Sequence, residues 1–472
     1  MTKRSDIPVF AVLGHPNEGK SSVVATLAEN DAVPVSPTPG ETRECRDYPV
    51  FIDDTEVIRF VDTPGFQNPR AAHKWITQNA DPEKAWIDEF IRAHEKNTEF
   101  AHECRLLTPL AAGAGVIFVV DGTRPVRTAD RLEMDILRLT GAPRMAVINT
   151  KDREHGDYIE DWKTAARMHF NVIRIFDAQR ASFAERMDLL KSLKAIDPDW
   201  DEALQRVIDA FETDWHVRLE QTAAIITDLL ASVLQYRAKK TIHDASGTEA
   251  VEKQLAAQYR QQVANMEKKA HHQIKKRFKH NIFSYDLPDH SLAGQDLFSE
   301  KTIKALGLTR SQMAWAGAGI GAGIGAKADL ALAGLGFGVF TALGGALGAG
   351  SAAWGSRKIS RAKIKGQALG GLRIQAGPVK NDQLLFVIID RMLIYFWHVI
   401  NWAHSRRDRP EASSDLDAGV SEFLSARWNQ QQKTISRRFF KEVRQKGPAG
   451  DQQAYREFSA MIRDLLKRIS RA

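Results

Sequence analysis

Cysteine is nearly missing from this chain. Only Cys45 and Cys104 occur among 472 residues, with no CxxC and no Cys/His cluster. That excludes a disulfide framework and a structural zinc site and fits a reducing, cytosolic compartment. No repeat of fixed period is found, which excludes a repeat array. No signal peptide is expected, because Met1-Thr2-Lys3-Arg4 runs directly into a short apolar stretch that gives way at once to a polar loop. Strand signals all but vanish beyond about Asp201. Acidic residues thin out in the same half. Residues 1–200 carry 26 bases and 32 acids, residues 201–472 carry 40 and 27, so the formal +7 divides into −6 and +13. A basic back half anticipates an anionic partner, phospholipid or nucleic acid, or else a solvated helical surface rich in lysine and arginine. A chain of this length is expected to build two or three domains.

What is present is sharper. Gly14-His15-Pro16-Asn17-Glu18-Gly19-Lys20-Ser21 is a complete G-x-x-x-x-G-K-S, set between an apolar run, Ile7 to Leu13, and a helical pattern, Ser22 to Glu29. In that strand–loop–helix setting the backbone N–H groups of Gly14 to Ser22 cradle a β-phosphate at a helix N-terminus. Lys20 reaches the β- and γ-phosphates, and the Ser21 hydroxyl takes one corner of a Mg²⁺ octahedron. Two extended runs, Tyr48 to Ile52 and Val57 to Val61, read as a hairpin ending in Asp62-Thr63-Pro64-Gly65. There Asp62 is placed for Mg²⁺ through water and the Gly65 N–H for the γ-phosphate. Further strands are expected at Val116 to Val120, Met145 to Ile148 and Val172 to Phe176, with helices between them. That alternation predicts an α/β, doubly wound, mostly parallel sheet with its ligand at the C-terminal strand ends.

Asn149-Thr150-Lys151-Asp152 follows one of those strands. Asp152 can accept two hydrogen bonds from guanine N1 and N2, a pair of donors adenine lacks, so it selects GTP; Asn149 braces the base loop. Ala178, after the last strand, can donate its N–H to guanine O6.

With these elements in order, residues 5–200 resemble the Ras-like GTPase superfamily, in the branch that contains Era, TrmE and the septins. Residues Gly14 to Ser22 are similar to that branch's G-x-P-N-x-G-K-S-[ST], and Pro39-Gly40-Glu41-Thr42-Arg43-Glu44 to its P-G-[TV]-T-R-D. The resemblance implies that Thr42 is the switch threonine on Mg²⁺ and that GTP is hydrolysed to GDP, with Lys20, Thr42 and Gly65 at the reacting phosphate. It also implies a K⁺ ligand at Asn17 and stimulation by K⁺ or by pairing of G domains. Two departures stand out: Thr150 occupies the lysine position of N-K-x-D, and Phe66 stands where Ras has its water-orienting glutamine, so intrinsic hydrolysis is expected to be slow.

The rest of the chain predicts a helical insert at about 66–112, beginning a helix at Asp81-Pro82-Glu83, then a long helical segment at 201–310 with patterns over Glu202 to Lys240 and Thr248 to His280. Residues 314–356 contain 13 glycines, several four apart, and Leu330 to Ser356 holds no charge for 27 positions. The segment reads as a membrane-type glycine-zipper hairpin or span, against a soluble zipper hairpin or a linker. Leu384 to Trp402 reads as an amphipathic helix, and 357–472 as mainly helical and basic. The whole chain resembles bacterial GTPases with an uncharacterised C-terminal domain. The expected protein is a GTP-driven switch on the cytoplasmic face of a membrane, acting on an unidentified protein effector. A GTP-driven oligomerising, membrane-remodelling protein and a ribosome- or RNA-associated GTPase remain as alternatives.

Overall fold

The structure is a computed structural model that describes residues 7–28, 44–52, 54–79, 86–95, 98–150, 158–178, 181–242, 248–278, 340–343, 363–364, 367–368, 372–401, 420–447 and 451–471. The chain forms two compact units, one built on Met1–Val217 and a second that begins at Arg218.

In the first unit six strands, β1 (Val9–Leu13), β2 (Arg46–Ile52), β3 (Thr55–Asp62), β4 (Gly115–Asp121), β5 (Arg144–Asn149) and β6 (Val172–Phe176), form one sheet in the order β2-β3-β1-β4-β5-β6. Only the β2–β3 pair is antiparallel. The central strand β4 is buried along its whole length, as its unbroken apolar run requires of a strand covered on both faces. Strand periodicity sorts β1 between two cores. Phe10 and Val12 join Val24, Leu190 and Phe211 on one face, while Ala11 and Leu13 join Phe66, Leu107 and Leu137 on the other. The covering helices are α1 (Lys20–Leu27), α2 (Pro69–Asn79), α3 (Trp86–His94), α4 (Ala101–Ala111), α5 (Thr128–Leu139), α6 (Ile159–Ala166) and α7 (Phe183–Lys194), followed by α8 (Asp201–Gln235), within which the two units divide. Two of them, α2 and α4, with α3 between, are the helical insert expected at about 66–112; the helix start at Asp81-Pro82-Glu83 lies outside the described residues.

The second unit is mainly helical, with a small sheet the sequence pattern did not show. Helix α8 ends at Gln235, and Ala238–Ile242 is a strand, β7, which corrects the reading of Glu202 to Lys240 as one helix. Its partner β11 (Leu372–Ala376) is remote in sequence and also pairs with β8 (Phe340–Leu343), giving the antiparallel order β7-β11-β8. A further short pair joins β9 (Lys363–Ile364) to β10 (Gln367–Ala368). Of the glycine-rich stretch only Phe340–Leu343 is described. Those four residues form a strand, so one uninterrupted helix over 330–356 is not what the chain builds; the rest of that stretch lies outside the described residues.

Helices α9 (Thr248–Arg277), α10 (Gln383–Ile400), α11 (Gln430–Lys446) and α12 (Gln452–Ile469) complete the unit. Among the described residues α10 is the one helix long and apolar enough to cross a membrane, yet most of it is buried inside the protein. It also carries Asp390 and Arg391, both buried. Arg391 forms a bidentate pair with Glu267 of α9, at 2.6 and 3.0 Å, and Asp390 accepts the N–H and the hydroxyl of Ser425, each at 2.7 Å. Buried polar groups satisfied in this way mark a core helix. Phe439 of α11 stacks on Phe458 of α12 with centroids 4.4 Å apart, and Tyr455 donates to Asp228 of α8 at 2.7 Å.

Candidate nucleotide site

The register of the sheet assembles the site. Strand β1 pairs with β3 so that Val12 faces Asp62, and β4 pairs with β5 so that Asp121 faces Asn149. The phosphate loop therefore leaves β1 between the C-terminal ends of β3 and β4, where open α/β sheets hold their ligands. Asn17 takes a left-handed φ of 69°, and Gly19 a φ of 93°. A side chain at Gly19 would be strained and would collide with the Asn149 amide. The close approach that glycine permits joins the phosphate loop to the base loop.

Ser21 donates to Asp62 Oδ2 at 2.7 Å, so two of the three residues expected around Mg²⁺ are side by side. Hard oxygen donors in this arrangement suit that cation. Lys20 is buried at the start of α1 and donates to the His15 carbonyl at 3.0 Å. Burial lowers its pKa, while Asp62, Glu133 and Glu18 pull the other way. Gly65 lies against the loop: a Cβ there would sit 2.7 Å from Pro16 Cδ and 2.9 Å from the Gly14 carbonyl. Ser22 is buried in the first turn of α1.

Asn149 bridges the site. Its amide donates to the Glu18 carbonyl at 3.1 Å and its Oδ1 accepts the Ala178 N–H at 3.2 Å. The N–H expected to meet guanine O6 is thus engaged by Asn149, while the Ala178 carbonyl accepts Thr26 Oγ1 at 2.7 Å. Of the predicted site residues, Gly14, Asn17, Glu18, Gly19, Lys20, Ser21, Ser22, Asp62, Gly65, Asn149 and Ala178 are brought together; Thr42, Lys151 and Asp152 lie outside the described residues.

The Glu18 side chain turns inward, away from the role of a nucleotide contact. It accepts the Asp121 N–H and the Arg124 Nε, the latter at 2.8 Å. Arg124 also holds Asp130, at 2.7 and 2.8 Å, and lies over the Trp162 ring at 5.1 Å. Burial works against the Arg124 charge, but Asp130 and Glu18 outweigh it and raise its pKa. Beside them His15 Nδ1 meets Glu133 Oε1 at 3.1 Å. Burial pushes the Glu133 carboxyl up to about 7, and the hydrogen bond that Glu133 accepts from His15 raises the His15 pKa. Sequence reading missed this buried layer under the loop, because Arg124, Asp130 and Glu133 belong to no motif and meet the loop only through the fold.

Phe66 is buried in the core with Leu13 and Leu107, so it contributes no polar group to the site. Gln67 and Asn68, directly after it, donate their N–H groups to Glu103 of α4 at 2.8 and 2.7 Å.

Comparison with known proteins places this geometry. Residues 9–150 match the family described as "50S ribosome-binding GTPase", and residues 163–467 match the "Domain of unknown function (DUF3482)". The second match covers more than half of the chain. The chain belongs to the DUF3482 family. In this DUF3482 protein the family domain follows an N-terminal part, residues 9–150, that matches the GTPase family model. Curated relatives of that front part include GTPase Der of Bifidobacterium longum, 31% identical over 159 residues, which are 33% of this chain and 29% of the relative. GTPase Der of Pseudothermotoga lettingae is 25% identical over 207 residues, 44% and 42% of the two chains. The DUF3482 chain thus spans 29% and 42% of the length of these two relatives. Among solved structures, Aquifex aeolicus Era bound to GDP and AlF4⁻ is 17% identical with a TM-score of 0.29, covering 50% of this chain and 72% of that one. Era in complex with MgGDPNP and a segment of 16S ribosomal RNA gives 17% and 0.28, with the same coverage.

Proposed function

We propose that this chain binds GTP and hydrolyses it slowly, as a switch carried at a membrane surface. The observation that supports the nucleotide reading best is the convergence of Lys20, Ser21, Asp62 and Gly65 on one loop, with Ser21 on Asp62 at 2.7 Å and Gly65 against Pro16. Ser21, Thr42 and Asp62 would hold Mg²⁺, which when bound neutralises developing phosphate charge. Lys20 leaves the His15 carbonyl to reach the β- and γ-phosphates, loop N–H groups take the remaining oxygens, and the Gly65 N–H senses the γ-phosphate. Asp152 reads guanine. Phe66 offers no hydrogen bond to water, so turnover is slow without K⁺ at Asn17, a second G domain or an effector. The test is competition for a fluorescent GDP analogue, with phosphate release measured alongside. Displacement by GTP and GDP but not ATP, with release faster in K⁺ than in Na⁺, is expected; equal displacement by ATP would overturn guanine selection, and equal rates in both cations would remove the K⁺ role.

The membrane reading is supported by the +13 charge of residues 201–472 and by the exposed side of α9, where Lys268, Lys269, His272 and Lys276 follow one another at helical spacing. The glycine-rich segment adds an apolar partner for a bilayer. Washing isolated membranes with high salt and then carbonate tests it: retention through both is expected for an inserted segment, and release by salt alone would sink insertion. A second reading, association with the large ribosomal subunit, is favoured by the matched family's description. Co-sedimentation with 50S subunits that survives deletion of 314–356 would establish that reading in place of the membrane one.

A further inference from the structure

We propose that helix α4 is a built-in clamp on the turn that follows Asp62-Thr63-Pro64-Gly65, with Glu103 as its positioning residue; the proposal rests on the GTPase reading. The strand β3 delivers Asp62-Thr63-Pro64-Gly65 to the phosphate loop, and the chain must then turn into α2. At that turn the N–H groups of Gln67 and Asn68 both point to Glu103 Oε1, at 2.8 and 2.7 Å. Glu103 is fully buried, and among the described residues its second oxygen, Oε2, has no hydrogen-bond partner. A buried carboxylate is costly, so it persists where its bonds secure something. What these bonds secure is the backbone directly behind Gly65.

Two neighbours fix the direction of that hold. Phe66 is sunk in the core beside Leu107 of the same helix, so the loop is pinned by its side chain on one step and by Glu103 on the next. Asn68 then caps α2 by accepting the Ala71 N–H at 3.3 Å. Gly65 is left pressed on Pro16, with little freedom to leave the loop. The same helix also meets the start of the chain that leads into β2: the Arg105 carbonyl accepts the Cys45 thiol at 3.2 Å.

The consequence is preorganisation. GTP gains a contact at Gly65 that GDP does not make, and the ordering cost of that contact falls when the backbone is already held. Glu103 therefore favours GTP over GDP and supports turnover without touching nucleotide. Exposed Gln67, held beside buried Phe66, is the side chain whose direction the clamp sets.

The test compares E103A and E103Q with the wild-type full chain, measuring affinity for GDP and for a non-hydrolysable GTP analogue, and kcat and KM for GTP. In E103A the preference for the GTP analogue over GDP should fall about 10-fold and kcat by a similar factor, with GDP affinity unchanged, as the loss of two hydrogen bonds to one carboxylate predicts. In E103Q, whose amide oxygen still accepts both N–H groups, both should stay within about threefold of wild type. Equal weakening of GDP and GTP analogue in E103A, or no change in either, would overturn the clamp. Failure of the wild type to bind GDP would instead overturn the GTPase reading, so the two failures are distinguishable.

Discussion

Gly19 and Asn149 are the residues on which the site's geometry turns. The left-handed φ of Gly19 and the lack of room beside the Asn149 amide act together, so Gly19→Ala should weaken GDP binding at least 10-fold. Asn149→Ala removes the bonds to the Glu18 carbonyl and the Ala178 N–H and leaves both groups buried. A roughly 10- to 100-fold loss of GDP affinity is expected, read by titration calorimetry. The glycine and the asparagine were legible as motif letters. Their mutual contact was not, because about 130 positions separate them and only the pairing of β4 with β5 brings the Asn149 turn over the loop.

At the scale of elements, α10 shows how composition misleads without packing. Its apolar run suits a membrane or a core equally well, and Asp390 and Arg391 decide the matter by finding partners on the rest of the second unit. Glu267→Leu removes the carboxylate that pairs with the buried Arg391 guanidinium, so it should destabilise the protein by about 3–5 kcal/mol in urea unfolding. Replacing both partners, Glu267→Leu with Arg391→Met, should recover most of that loss. Asp390 carries a pH signature. Burial pushes its carboxyl from 3.8 up to about 7, against the pull of Ser425, so the folded state holds a proton that the unfolded state releases. Its contribution to stability is fully present below about 3.8 and is lost as pH rises toward 7. His271, part-buried and stacked on Tyr395, is held down to about 3 by desolvation and by the nearby Arg391 charge, and acts in the opposite sense below 6.5. Comparing Asp390→Asn with wild type at each pH isolates Asp390: the fall in wild-type stability between pH 4 and pH 7, measured by urea midpoints, should flatten in the variant.

For the whole molecule, nucleotide binding and folding of the first unit are linked. A ligand at 100 times its Kd stabilises the form that binds it by about 2.7 kcal/mol. A thermal scan with GDP should therefore shift an unfolding transition upward, and at the same GDP concentration Asn149→Ala should lose most of that shift. The front and back parts of the chain also differ in charge. At residues 1–200 acids predominate, and at 201–472 bases do. The membrane reading proposed above predicts binding to anionic vesicles that weakens as salt rises, since screening shortens the reach of exposed lysines to about 8 Å at physiological ionic strength.

The phosphate loop, the Asp62–Gly65 turn, the place of Asn149 at the end of β5 and the alternation of strands and helices were determined by sequence alone, because each is a local pattern with a fixed chemistry or period. Tertiary structure alone decided the inward turn of Glu18 onto Arg124, the hold of Glu103 on the backbone behind Gly65, and the sheet that joins Ala238–Ile242 to Leu372–Ala376. Each of those depends on groups far apart in the chain. A buried carboxylate in a sequence looks like any surface glutamate until its desolvation, and the donors that offset it, are visible.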